Sequence, residues 1–265
     1  MQNNSYTSLV RIEDINMNFN PGTVNETAVF NHFNFSVRKG EFVSVVGSNG
    51  SGKTTMLNII CGSLSGYDGK IFLKGKDITK KPEHIRAASI GRVFQNPSKG
   101  TCPNLTILEN MSLADNKGKS FGLTKGVNKK KSDYYKSRLE LLHLGLEDKL
   151  HIEVGSLSGG QRQALALLIA TMTPIDLLVL DEHTAALDPK SSETVMDLTL
   201  KVIEEKNLTA LMVTHNLRFA VEYGNRLVMM HEGKSVIDTQ DKNKSDYTME
   251  NLLKIFNEIS VECGN

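Results

Sequence analysis

Eight consecutive residues, Gly47-Ser48-Asn49-Gly50-Ser51-Gly52-Lys53-Thr54, fit the pattern G-x-x-x-x-G-K-[ST] in full. The chemistry such a segment can do is to hold phosphate. Glycines let the backbone wrap closely around anionic oxygens, where a Cβ would clash or strain the turn. Successive N–H groups and the start of a following helix then face the anion. Lys53 is expected to reach the β- and γ-phosphates and Thr54 to place its hydroxyl on Mg²⁺. The segment follows an apolar run and precedes a helical one, which is the context the pattern needs.

A second run complements it. Leu177-Leu178-Val179-Leu180-Asp181-Glu182 reads as a buried strand with carboxylates at its C-terminal end, the edge where ligands bind in open α/β sheets. Asp181 is placed to hold Mg²⁺ and Glu182 to polarise an attacking water. A third segment, Leu157-Ser158-Gly159-Gly160-Gln161, has the form of a helix capping box, with Ser158 as N-cap and Gln161 three positions on. The paired glycines add a bare helix start that an anion can approach. Since the chain already has a phosphate loop, a second phosphate-facing helix start points to a nucleotide supplied by another subunit.

These residues need elements to position them. Alternation at Phe33, Phe35 and Val37 predicts a half-buried strand, and compact apolar runs at 42–46, 177–180 and 210–213 predict strands buried on both faces. Short strands are expected at 70–73 and 92–94, and a hairpin over 226–230 and 235–237 around Glu232-Gly233. Helices are expected at 53–60, 132–144 and 159–172, and after the N-cap and first-position proline of Asp188-Pro189. Strands, then a mostly helical middle over about 97–157, then strand–helix alternation imply an α/β core with an inserted helical subdomain. Leu105, Ile107, Leu108 and Met111 in that middle fit either core or a docking surface, and the sequence favours core. A lysine- and glycine-rich stretch over 116–131 reads as a solvated loop, and 249–259 as a short amphipathic helix on the core.

Composition removes several classes. Among 265 residues, Lys plus Arg number 31 and Asp plus Glu 30, so a net charge of +1 gives no electrostatic case for nucleic-acid binding. The longest apolar run, 164–170, is far short of the roughly 20 residues that cross a bilayer, and the first 30 residues carry no apolar signal core. A cytoplasmic chain is therefore expected. Cys61, Cys102 and Cys263 are too few and too widely spaced for a disulfide framework or a zinc site, and read as reduced thiols.

Taken together, the phosphate loop, Gln95 in Phe94-Gln95-Asn96, the segment at 157–161, the carboxylate strand, Ala186-Leu187-Asp188, and His215 in Val213-Thr214-His215-Asn216 resemble the ATP-binding cassette ATPases, in the family's own order over about residues 9–238. The resemblance implies a P-loop NTPase sheet core (about 1–96 and 158–240) flanked by helices, with an antiparallel β subdomain, the helical subdomain at about 97–157 and a terminal helix at about 246–260, all in one ATPase domain. It implies ATP and Mg²⁺ as ligands. Residues Gly47 to Thr54 with Thr55 would hold the phosphates, Phe19 would stack on adenine with Phe30 as the other candidate, and Gln95 would touch Mg²⁺ or water. Ser158, Gly159, Gly160 and Gln161 would face the γ-phosphate of a nucleotide on a second copy, Asp188 would line the interface between copies, and Lys53, Glu182 and His215 would serve hydrolysis. His183 departs from the family, which usually has proline there, and either alters loop rigidity or adds a titrating group.

The implied assembly is a head-to-tail homodimer on a separate integral-membrane permease at the inner face of the membrane. Pro82-Glu83-His84-Ile85-Arg86, the segment from Gly91 to Asn96 and the segment from Gly155 to Leu165 are similar to importers of branched-chain and aromatic amino acids. That implies a substrate-binding protein as an indirect partner. An exporter or lipid-extracting ATPase, a soluble non-transport ATPase and a non-hydrolysing module are the competing readings. Intact Lys53, Asp181, Glu182 and His215 argue against the last.

Overall fold

The computed structural model describes residues 8–119, 126–240 and 244–262. Cys263 and residues 120–125 of the lysine-rich stretch lie outside them. The first elements are β1 (Ser8–Phe19), β2 (Thr27–Arg38), β3 (Phe42–Gly47), α1 (Lys53–Cys61), β4 (Asp68–Leu73), β5 (Lys76–Asp77), α2 (Glu83–Arg86) and β6 (Ile90–Val93). Next come α3 (Ile107–Asp115), α4 (Ser132–Glu140), α5 (Gly159–Ala170), β7 (Leu177–Asp181) and α6 (Pro189–Glu205). The chain continues with β8 (Thr209–Val213), α7 (Leu217–Glu222), β9 (Arg226–His231), β10 (Lys234–Asp238) and α8 (Met249–Glu262).

Two compact units divide the chain. The first takes residues up to Ala87 and from Asn207 on. It holds an antiparallel sheet in the order β2-β1-β4-β5. It also holds β3 running parallel between β8 and β9, with β10 antiparallel on β9. Every residue of β3 and β8 is buried, which is why they read as continuous apolar runs. The hairpin turns at Glu232 and Gly233, both with positive φ, the geometry that matches the twist of the flanking strands. Strand β1 has no clear alternation in the sequence. Its pairing with β2 slips at several points between Ser8 and Asn18, and each slip breaks the period of two.

The second unit runs from Ala88 to Lys206. Here β6 pairs parallel with β7, and α5 lies against β6. Gly91 permits that approach, since a Cβ there would stand 2.6 Å from Ala170 O. Helix α3 opens on a full capping box, Thr106 with Glu109. Ile107, Leu108 and Met111 are core, as expected, and Leu105 is half-buried. Helix α4 is shorter than the spacing predicts. It ends at Glu140, and the left-handed residues His143 and Gly145 turn the chain, while Leu142 and Leu146 still reach the core from turns.

Candidate functional site

In the first unit, β3 delivers the chain to Gly47 and α1 carries it away from Lys53. Gly47 has no space for a side chain, since a Cβ would meet Met230 O at 2.1 Å. Gly52 has a φ of 97°, and a Cβ there would meet the Phe30 ring at 2.8 Å. As N-cap of α1, Gly52 supplies no side-chain acceptor, and no acidic residue occupies the first turn. No side chain of the helix's own first turn competes with an anion for its N–H groups. Lys53 is buried, and its Nζ donates to Gly47 O and Ser48 O, each at 2.8 Å. Ser51 Oγ is buried without a hydrogen-bond partner among the described residues. Asn49, Gly50 and Thr54 are exposed, with Ser48 and Thr55 half-buried. A loop of N–H groups, an ammonium and hydroxyls with an open side suits polyphosphate.

The sequence reading missed what backs this loop. The β9–β10 turn closes on it: Gly233 N donates to Ser51 O at 3.1 Å, and His231 Nδ1 lies 3.4 Å from Ser48 Oγ. Gly233 itself lies against Val29 O, where a Cβ would stand 1.9 Å away. The glycine of an ordinary hairpin gives no hint of that second duty. Of the two aromatic candidates, Phe19 is 37% exposed at the end of β1. Phe30 is core, stacked on Phe33 with ring centroids 4.4 Å apart, and is corrected out of the adenine role. His215 is exposed, between the end of β8 and Asn216, the N-cap of α7.

In the second unit, Asp181 closes β7 with its carboxylate largely buried, and Arg92 Nη2 donates to its Oδ2 at 2.7 Å. Glu182 follows with a φ of 48°, a conformation that costs a non-glycine residue about 1–3 kcal/mol and that recurs at functional sites. His183 is buried, and its Nε2 lies 3.2 Å from Thr199 Oγ1. The Thr199 hydroxyl donates to Val195 O at 2.7 Å, so the His183 ring is the donor and carries its proton on Nε2. Burial pushes its pKa down to about 4. His183 is therefore neutral near neutral pH and takes a proton only in acid.

Gln95 is exposed just beyond β6, and the carbonyl before it, Phe94 O, accepts from Gln163 Nε2 of α5 at 2.9 Å. Ser158 caps α5 as the sequence predicts, in a capping box with Gln161. Gln161 spends the other end of its amide on Leu144 O. Gly159 and Gly160 have little spare room, with Leu187 Cδ2 and Ser191 3.1 and 3.2 Å from where a Cβ would be. The segment at 157–161 and the Asp188 segment thus lie side by side. Asp188 accepts from Ser191 N at 3.0 Å as N-cap of α6, and hydrogen bonds from Ser191 hold its carboxyl below the usual range.

No group of three or more His, Cys, Asp or Glu side chains gathers to hold a metal among the described residues. Mg²⁺ binds through a few oxygen donors such as a carboxylate or a hydroxyl, keeps several waters and seldom takes an all-protein cage. Asp181 and the exposed Thr54 hydroxyl are donors of that kind.

The ABC transporter family model matches residues 30–185. The chain is 45% identical over 248 residues to the tyrosine transport ATP-binding protein of Clostridioides difficile strain R20291, covering 94% of this chain and 98% of that one. Among solved structures, it is similar to an ATP-binding cassette of an ABC transporter in its ADP conformation, with a TM-score of 0.77, 26% identity, and coverage of 97% and 99%. It is also similar to a dimeric ATP-binding cassette in a post-hydrolysis state bound to ADP and Pi, with a TM-score of 0.73, 29% identity, and coverage of 86% and 97%. No described helix is long and apolar enough to cross a membrane.

Proposed function

The chain belongs to the ABC transporter family as an ATP-binding, ATP-hydrolysing subunit, and we propose that it drives a separate membrane permease importing a hydrophobic or aromatic amino acid. The relative named for tyrosine transport supports that substrate class, at 45% identity over nearly the whole chain. The observation that carries the nucleotide-binding reading is the phosphate loop: a buried Lys53 ammonium on Gly47 O and Ser48 O, at the start of a helix that no side chain caps. Work at the membrane is peripheral, through the permease, with a substrate-binding protein as the indirect partner.

The reaction is attack of water on the γ-phosphorus of ATP, with cleavage of the bond to the β-phosphate bridging oxygen and release of ADP and phosphate. Little covalent chemistry falls to the protein, and positioning with charge neutralisation does most of the work. Residues Gly47 to Thr55 bind and orient the phosphates, with Lys53 offsetting charge on the β- and γ-groups. Phe19 stacks on adenine. Glu182 accepts a hydrogen bond from the water and aligns it, and His215 and Gln95 contact the γ-phosphate side. Mg²⁺, held by Thr54, Asp181 and Gln95, would supply neutralising charge to the phosphate oxygens. Ser158, Gly159, Gly160 and Gln161 complete the site of a second copy head-to-tail, with Asp188 at the interface.

Light scattering on wild type and Glu182→Gln tests this. The variant is expected to be monomeric without nucleotide and a stable dimer with ATP and Mg²⁺, because closure survives while hydrolysis does not. A variant that stays monomeric while wild type hydrolyses ATP would refute the two-chain site for the isolated subunit.

A further inference from the structure

The carboxylate end of β7 is bound to the strand that leads into Gln95 by an ion pair that no motif predicts. Arg92 and Asp181 are 89 residues apart, and the bond between them is 2.7 Å. Their side chains are 11% and 13% exposed, so water screens the pair poorly. The guanidinium also lies 4.6 Å from the centre of the Phe94 ring, the residue before Gln95. One step further along, Gln163 of α5 holds Phe94 O. Three side chains, Arg92, Phe94 and Gln163, thus join Asp181, the Gln95 segment and the helix capped by Ser158 within one unit.

Charge and geometry at this pair pull in different directions. Arg92 Nη2 donates to Oδ2 of Asp181, a charge-assisted bond that restrains the carboxylate at that oxygen. The same positive charge, within a few ångströms of that carboxylate, opposes any cation Asp181 accepts.

We propose that Arg92 is a positioning residue of the ATPase site: it orients Asp181, ties that orientation to the Gln95 segment, and through its charge limits how tightly Asp181 takes a divalent cation. The inference rests on the reading of Asp181 as a metal-holding residue. Arginine suits the task because its planar fork can hold a carboxylate and cover an aromatic ring at once, whereas a lysine offers only a point charge.

The test uses the full chain with ADP and Mn²⁺, the free Mn²⁺ being read by electron paramagnetic resonance without turnover. Arg92→Gln is expected to bind Mn²⁺ in the presence of ADP about tenfold more tightly than wild type, since a nearby positive charge is gone. Its kcat is expected to fall at least tenfold with KM for ATP little changed, since orientation is lost. Arg92→Lys keeps the charge and is expected to hold Mn²⁺ within about twofold of wild type while losing part of kcat. In an Asp181→Asn background, where the carboxylate that takes the cation is gone, Arg92→Gln should raise Mn²⁺ affinity by clearly less than in wild type. A folded Arg92→Gln with unchanged or weaker Mn²⁺ affinity overturns the proposal. If Arg92→Gln does not fold, an Mn²⁺ affinity in Arg92→Lys that differs more than fivefold from wild type overturns it. Wild type that binds ADP with no gain from Mn²⁺ would instead overturn the reading of Asp181 itself.

Discussion

His183 shows how burial sets the chemistry of a single side chain beside a reactive segment. Its ring is enclosed, donates to Thr199 and has its pKa pushed down to about 4 from 6.5. Between those values the unfolded chain binds a proton that the folded chain refuses, so this group costs no stability above pH 6.5 and costs increasingly more as pH falls towards 4. The total loss from this group is about 3 kcal/mol. Thermal melts of wild type and His183→Gln from pH 8 to pH 4 should therefore converge or cross on the acid side. Parallel pH profiles would mean that His183 is not the group responsible. The sequence shows a histidine where relatives usually carry proline. It does not show that the ring is sealed from water, because burial is set by packing and the partner it meets, Thr199, lies 16 residues further on in α6.

At the scale of elements, the helix starts were the most legible features, because a cap is local chemistry. Ser158 with Gln161 and Asp188 with Pro189 stand where their residue types predict. The two capping boxes also separate structural from functional duty. Thr106→Ala and Ser158→Ala should each cost about 1 kcal/mol in urea unfolding. Only Ser158→Ala should also lower ATPase activity, because Thr106 caps a helix with no phosphate role; equal loss of activity in both would deny Ser158 that role. Strand β1 was illegible because its slipped pairing erases the alternation, and α4 was overextended because Leu142 and Leu146 are buried from turns at a spacing that imitates a helix.

For the whole molecule, the near-zero net charge argues for association through specific faces rather than through a general field. The proposed assembly puts a phosphate loop from one copy with the 157–161 segment of another. Lys53→Ala damages the first and Ser158→Arg the second, so each variant alone should be nearly inactive. Mixed together, they form dimers in which one site carries both lesions and the other neither. ATPase assays of the mixture should recover a substantial fraction of wild-type activity. A mixture no better than its parts would mean that each site lies within a single chain.

The sequence by itself determined the chemistry of contiguous segments: the phosphate loop, the carboxylates of β7, the capped starts of α5 and α6, and the family to which their order points. Each of these is announced by residue types that lie next to one another in the chain, whatever distant groups later pack against them. Tertiary structure alone decided the rest. It made Phe30 core and left Phe19 open, set the β9–β10 turn behind Ser51, sealed His183 in its neutral form, and placed Arg92 on Asp181. Those outcomes depend on which distant atoms share a space too small for water, and such proximity is fixed by packing.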